Sequence, residues 1–159
     1  MIIFLTVSLV ILCFGLVVFF GAPYLPTLKH QKKAALDLLD LKPGQTILEA
    51  GSGDGRVLKA AAERGINAIG YELNPLLVLI SWLLTFKQRN RVKIIWGNYW
   101  NKDWQEADGI FVFLHSEYME KLDKKMSLIN KPIKLVSVIY QMPNRKPVKK
   151  KSGVFLYQY

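Results

Sequence analysis

Apolar and polar positions along the chain fall into three regimes. Residues 2–20 form an apolar run without a single charge. Wound as a helix at roughly 1.5 Å per residue, that run reaches about 29 Å, close to one hydrocarbon core. Gly21, Pro23 and Pro26 follow and predict a short extended link, because prolines do not continue a helix. Over 27–41 the spacing is helical, with Ala35, Leu38 and Leu39 on one face and Lys29, Lys32 and Lys33 elsewhere; Lys42, Pro43 and Gly44 stop it. Beyond residue 44 short apolar runs alternate with helical periodicity. Strands are predicted at 46–50, 67–72, 92–96, 109–114, 133–140 and 154–159, and helices at 56–64 and 75–88, with a further one opening at Ser116. Asn74 ahead of Pro75 reads as an N-cap. Ser116 reads as another, with Glu117 early and Lys124 and Lys125 late to match the helix dipole. Strands alternating with helices predict an α/β fold: a doubly wound, mostly parallel sheet with a final antiparallel strand. The stretch 75–86 is apolar nearly all round yet too short to cross a bilayer, so burial against the sheet is expected, any face left over meeting lipid.

Composition sharpens the reading of the ends. At 159 residues the chain is one domain plus its N-terminal run, and 22 Lys+Arg against 12 Asp+Glu leave a net charge of +10. A cleaved secretory signal is the competing reading of residues 2–20, but no basic region precedes them. Lys29, His30, Lys32 and Lys33 follow instead, which favours a retained single-pass transmembrane helix with the C-terminal domain facing the cytoplasm. The expected organisation is therefore an anchor at 1–21, a linker and pre-core helix at 22–44, and the main domain at 45–159. A lone cysteine, Cys13, excludes a disulfide framework and a cysteine-based zinc site; it reads as an apolar filler, and no metal set is expected.

Candidate chemistry concentrates after the first predicted strand. Glu49 is followed by Gly51, Ser52, Gly53, Asp54 and Gly55, and Glu72 closes the second strand. Glycines at this turn let the backbone bend sharply and approach a ligand, and an acid where Glu72 stands can accept both hydroxyls of a ribose, as in dinucleotide-binding folds. A nicotinamide site reads G-x-G-x-x-G, whereas here the spacing is G-x-G-x-G and Arg56 takes the place of the third glycine. Glu49 would repel a pyrophosphate and suits a ligand with a cationic amine. No Walker lysine follows. The bland alternative is a mere strand–helix turn.

These residues resemble the first motif and ribose-binding acid of class I methyltransferases that use S-adenosyl-L-methionine, which implies a Rossmann-like fold. Four strings narrow the resemblance: Tyr24-Leu-Pro-Thr27, Gly51-Ser-Gly-Asp-Gly-Arg56, Gly70-Tyr-Glu-Leu-Asn-Pro75 and Tyr118-Met-Glu-Lys-Leu122. Together they are similar to the membrane-associated lysine methyltransferases that modify the ATP synthase c-subunit and the adenine nucleotide translocase. The resemblance implies that Glu49 and the loop Gly51, Ser52, Gly53, Asp54 and Gly55 hold the methionine part of the cofactor. It implies that Glu72, with Leu73 and Asn74 beside it, holds the ribose, that Asn98 lies on the adenine side, and that Tyr24 and Thr27 cover the site.

Methyl transfer from a sulfonium needs mainly alignment. A lysine placed beside a sulfonium in a dry pocket loses its proton more readily, so no dedicated base is obligatory. Tyr99 and Trp100, with Trp104, are either a face for the cationic acceptor or ordinary packing. His115 and Ser116 are rejected as a base–nucleophile pair, since no acid is placed to orient them and Ser116 is spent as a cap. The run Arg145, Lys146, Lys149, Lys150 and Lys151 reads as a solvated hairpin loop, attracted either to RNA or, preferably here, to anionic lipid. The strand ending at 112–116 lacks the Asn/Asp-Pro-Pro-aromatic string by which base-methylating enzymes resemble one another. The expected partners are thus membrane lipid and a protein with an accessible lysine, nucleic acid ranking lower. RNA or lipid-amine methylation, and a non-catalytic cofactor-binding module, stay open as alternatives.

Overall fold

Aliphatic runs flanked by glycine and polar turns pair into one sheet, and the helices between them close over its two faces. The computed structural model describes residues 24–159 together with positions 1, 3, 4, 6–8, 11 and 15. In chain order the elements are α1 (Lys29–Leu39), β1 (Thr46–Ala50), α2 (Arg56–Glu63), β2 (Asn67–Glu72), α3 (Pro75–Leu84), β3 (Val92–Trp96), β4 (Gly109–Val112), α4 (Met119–Met126), β5 (Lys134–Val138), β6 (Lys149–Lys151) and β7 (Val154–Gln158). The sheet runs β3-β2-β1-β4-β5-β7-β6. Its first five strands are parallel, β7 pairs antiparallel with β5, and β6 pairs antiparallel with β7.

The central strands are apolar on both faces because both are covered. On one face Ile47, Ala68, Phe111 and Val136 pack beneath α1 and α2. On the other, Leu48, Tyr71 and Ile110 pack with Trp104, Met119, Leu122 and Tyr157. The order reverses between β1 and β4, so the crevice beyond their carboxyl ends is where this architecture takes ligands.

β1, β2 and β3 match their predicted spans; other boundaries move for local reasons. Leu28 is extended and Asp40 adopts the left-handed conformation, so α1 is shorter than 27–41. The helix expected at 75–88 ends at Leu84, where Thr85 Oγ1 donates to the Ser81 carbonyl at 2.7 Å; a separate 3₁₀ turn, Phe86–Gln88, follows. Strand β4 stops at Val112, and β5 stops at Val138 because Ile139 takes φ +68°. Ser116 is not an N-cap: it lies in a 3₁₀ turn, Ser116–Tyr118, with no capping bond, and α4 starts at Met119. Nor is the basic run wholly a loop, since Lys149–Lys151 is an edge strand, where lysines discourage further pairing. Two antiparallel strands, not one, therefore end the sheet.

The largest departure is α3. Only Leu77 and Ser81 are buried, while Leu79, Trp82, Leu83 and Leu84 face solvent. Burial against the sheet thus holds for one side of the helix only, and the face left over is the larger part. Among the described residues no helix is long and apolar enough to cross a membrane. Most of the expected span 2–20, with Cys13 and the linker positions 21–23, lies outside the described residues.

Candidate functional site

The turn after β1 is built on three left-handed glycines, Gly51, Gly53 and Gly55, at φ +82°, +54° and +78°. Gly51 N and Ser52 N both donate to the Tyr71 carbonyl, at 3.0 and 2.9 Å, and so stitch the turn to β2. Two of the glycines allow close approach. A Cβ on Gly53 would stand 2.7 Å from the Tyr24 ring, and one on Gly55 would stand 2.2 Å from Ser81 Oγ of α3. Around a Cβ on Gly51 nothing lies within 4 Å, so that side of the turn is open.

Three carboxylates surround the turn in different ways. Glu49, on β1, is 4% exposed and its Oε2 has no partner. Burial, then the charges of Asp54 and Glu72, push its carboxyl well above the ordinary range. Glu72 is also buried but fully engaged: Oε2 accepts from Gly53 N, and Oε1 from Leu73 N and Asn74 N, each at 2.8 Å. Burial alone would raise the Asp54 carboxyl, but the Arg56 guanidinium forks onto it at 2.6 to 3.0 Å and holds it below the usual range. Arg56 also donates to Tyr24 Oη at 3.3 Å and to the Thr27 carbonyl at 3.4 Å. This places the pre-core segment over the turn, with Thr27 buried. In the sequence Arg56 stands out only as the residue displacing a third glycine. Its spacing of two from Asp54 is the signal that could have revealed the fork.

The remaining candidates divide. Asn74 Oδ1 caps α3 by accepting from Leu76 N and Leu77 N, leaving its buried Nδ2 without a partner; Ser52 Oγ is likewise buried and unpartnered. Asn98 Oδ1 accepts from Trp100 N at 2.9 Å, and so is occupied in shaping the turn Tyr99–Asn101. Tyr99 and Trp100 pack at 5.0 Å between ring centroids, and Trp100 lies 6.3 Å from Tyr118. Burial, then Tyr118 and the Glu72 charge, raise the Tyr99 phenol, which puts this cluster within electrostatic reach of Glu72. Trp104 is 1% exposed and belongs to the core. Lys121 Nζ stands 4.4 Å over the Trp100 ring, a cation–aromatic contact. Tyr118 joins the cluster without having been a site candidate by sequence.

An acid does stand near His115: Glu117 Oε1 is 3.8 Å from its Nδ1, and Ser116 Oγ is 3.5 Å away. The pair therefore does have an acid beside it, contrary to expectation, and Ser116 is not spent as a cap. All three residues are exposed, and the hydroxyl contact is at the limit of a hydrogen bond, so no dry, oriented nucleophile results.

Glu49 Oε2 and Ser52 Oγ are buried without partners and Gly51 is open on one side, a set of features that fits a ligand bringing hydrogen-bond donors and positive charge. Glu72 fits less completely. A carboxylate has about four lone-pair positions, three are taken by backbone N–H groups, and one hydroxyl can be held without releasing them.

A sheet of this order, with an acid ahead of a three-glycine turn and another closing β2, defines the class: S-adenosylmethionine-dependent methyltransferases. Residues 49–149 match the ANTKMT methyltransferase domain, and the chain belongs to that family. It is 29% identical over 128 residues to the ATP synthase c-subunit lysine N-methyltransferase of Xenopus laevis, covering 79% of this chain and 56% of that protein. It is 30% identical over 131 residues to the adenine nucleotide translocase lysine N-methyltransferase of Mus musculus, with the same coverage of 79% and 56%. The chain thus spans about half the length of the curated relatives it matches. Among solved structures, an RNA methyltransferase from Salinibacter ruber in complex with S-adenosyl-L-homocysteine superposes at a TM-score of 0.77 and 24% identity, covering 85% of this chain and 92% of that one. That likeness is one of fold.

Proposed function

We propose that this chain is a protein-lysine N-methyltransferase, held to a membrane by residues 1–21 with its C-terminal domain on the cytoplasmic side. The observation that carries the reading is the buried Glu49 carboxyl, its Oε2 without a partner, at the end of β1 just ahead of the glycine turn. Glu49 and the turn 51–55 hold the methionine portion of the cofactor, Glu72 holds the ribose, and Asn98 lies on the adenine side. When bound, S-adenosylmethionine supplies a methyl group on a positively charged sulfur. Tyr24, pinned by Arg56, excludes water from above the turn. Tyr99 and Trp100, joined by Tyr118, present apolar faces that desolvate an acceptor lysine and favour its neutral form. No side chain has to remove the proton. Both lysine-modifying relatives act on proteins by name, which supports a protein acceptor. The uncharged run at 2–20 and the cations after it support the anchor and its orientation.

Incubating the full chain with methyl-labelled cofactor and a membrane fraction tests the proposal. Label in a protein band, lost in Glu72→Ala, is the expected outcome. Label confined to RNA or to lipid transfers the assignment to those acceptors, and cofactor binding without turnover on any acceptor reduces the chain to a binding module.

A further inference from the structure

Helix α3 lies along the outer flank of the sheet and leaves a continuous apolar face in water. Leu79, Trp82, Leu83, Leu84, Phe86 and Trp96 are all exposed, Trp82 at 67% and Leu83 at 68%. Trp96 belongs to the same side, because at a spacing of two it shares a strand face with Val92 and Ile94, which pack into the α2 face of the sheet. Its Nε1 donates to the Leu73 carbonyl at 3.0 Å, tying the face to the segment that orients Glu72. A soluble surface rarely leaves so many large side chains uncovered together.

Charge identifies the occupant. From residue 73 to residue 102 the chain has no Asp or Glu, while Lys87, Arg89, Arg91, Lys93 and Lys102 are all cationic. At the end of α3 the guanidinium of Arg89 lies 4.8 Å over the Phe86 ring. Beside it opens a polar hollow of about 340 Å³ lined by Thr46, Asn67, Arg89, Asn90, Arg91 and Lys93, among others. A second copy of this chain would set these cations against their own images, which disfavours self-pairing. Tryptophan and aliphatic side chains within a stretch whose charged residues are all Lys or Arg match the interfacial layer of a bilayer, where each cation near an anionic surface is worth about 1 kcal/mol.

We infer that the α3 face docks on an anionic lipid surface, with the basic hollow receiving phosphate headgroups. Docking is independent of the transfer reaction and of the N-terminal run. It lays α3 along the bilayer and presents the crevice at the height of the interface, so the acceptor reached is one displayed at a membrane surface.

Hydrogen exchange on the full chain tests this in vesicles of phosphatidylcholine alone and in vesicles of phosphatidylcholine with phosphatidylglycerol. Exchange across α3 is expected to slow about tenfold or more only when phosphatidylglycerol is present. In a parallel measurement, lipids with brominated chains are expected to quench tryptophan fluorescence in the mixed vesicles, and Trp82→Phe to remove part of the quenched signal, Trp96 carrying the rest. Leu79→Glu with Leu83→Glu should abolish both effects while leaving cofactor affinity unchanged, which separates failure of docking from failure of the site. Equal exchange in the two vesicle types overturns the inference. So does an α3 already protected in phosphatidylcholine alone, since that outcome means residues 2–20 or a second copy cover the face.

Discussion

At the scale of single residues, Glu49 carries a carboxyl that burial and two neighbouring acids push toward its protonated form. Its ordinary carboxyl value is 4.5, and its folded value lies well above that. The native state therefore binds the proton more tightly than the unfolded chain. Stability present below the ordinary value is lost as pH rises through the folded one. Glu49→Gln is expected to flatten that loss and to melt at a higher temperature than the parent protein above neutral pH, in the absence of cofactor. Thermal scans across pH check this. On the proposed function the same variant should bind the cofactor more weakly, because the negative charge available to a sulfonium or amine is gone. Gly55 offers a steric counterpart. Gly55→Ala combines φ +78° with a Cβ 2.2 Å from Ser81 Oγ, and is expected to cost about 1–3 kcal/mol in a denaturant titration. Ser81→Ala removes a buried hydroxyl that has no partner, and is expected to leave stability unchanged or slightly higher. The glycines, Glu49 and Glu72 were legible as a constellation, because residue type and strand-end position carry that information. The engagement of Glu72 by three backbone N–H groups was not, since it depends on how the turn folds back on β2.

At the scale of elements, the pre-core segment behaves as a strap. Arg56 reaches Asp54, Tyr24 and the Thr27 carbonyl at once, and the Tyr24 ring rests where a Cβ on Gly53 would be. Tyr24→Ala is expected to raise cofactor dissociation about tenfold with little change in melting temperature, read by stopped-flow displacement. Arg56→Lys should behave similarly, because an ammonium cannot fork onto a carboxylate and still reach two further acceptors. Strands β1, β2 and β3 were legible to the residue, since apolar runs bounded by glycine and polar turns leave little freedom. Helix ends were less so. Thr85 ends α3 with a side-chain bond to its own backbone, and Ser116, though a good capping residue by type, spends its hydroxyl nowhere in the helix. β6 was hidden for a related reason: a run of three lysines has no apolar alternation, and it pairs only because β7 offers a free edge.

At the scale of the whole molecule, one end of the sheet gathers the chemistry and one flank gathers the uncovered apolar surface. The acids and glycines meet at the carboxyl ends of the neighbouring strands β1 and β2, next to the point where the strand order reverses, and α3 starts within three residues of Glu72. Periodicity could not assign α3 a side, because a helix apolar all round has no polar face to mark water; only the fold reveals which half the sheet covers. The acidless stretch 73–102 and the exposed α3 face coincide, which makes attraction to a negative surface a property of the domain itself. Function nevertheless rests on the site. Calorimetric titration of S-adenosylmethionine into the full chain, beside Glu72→Ala and Glu49→Gln, tests it most directly. One cofactor bound per chain, with affinity falling at least about tenfold in each variant, is the predicted result. No binding by the parent protein, or equal binding by all three proteins, would contradict it.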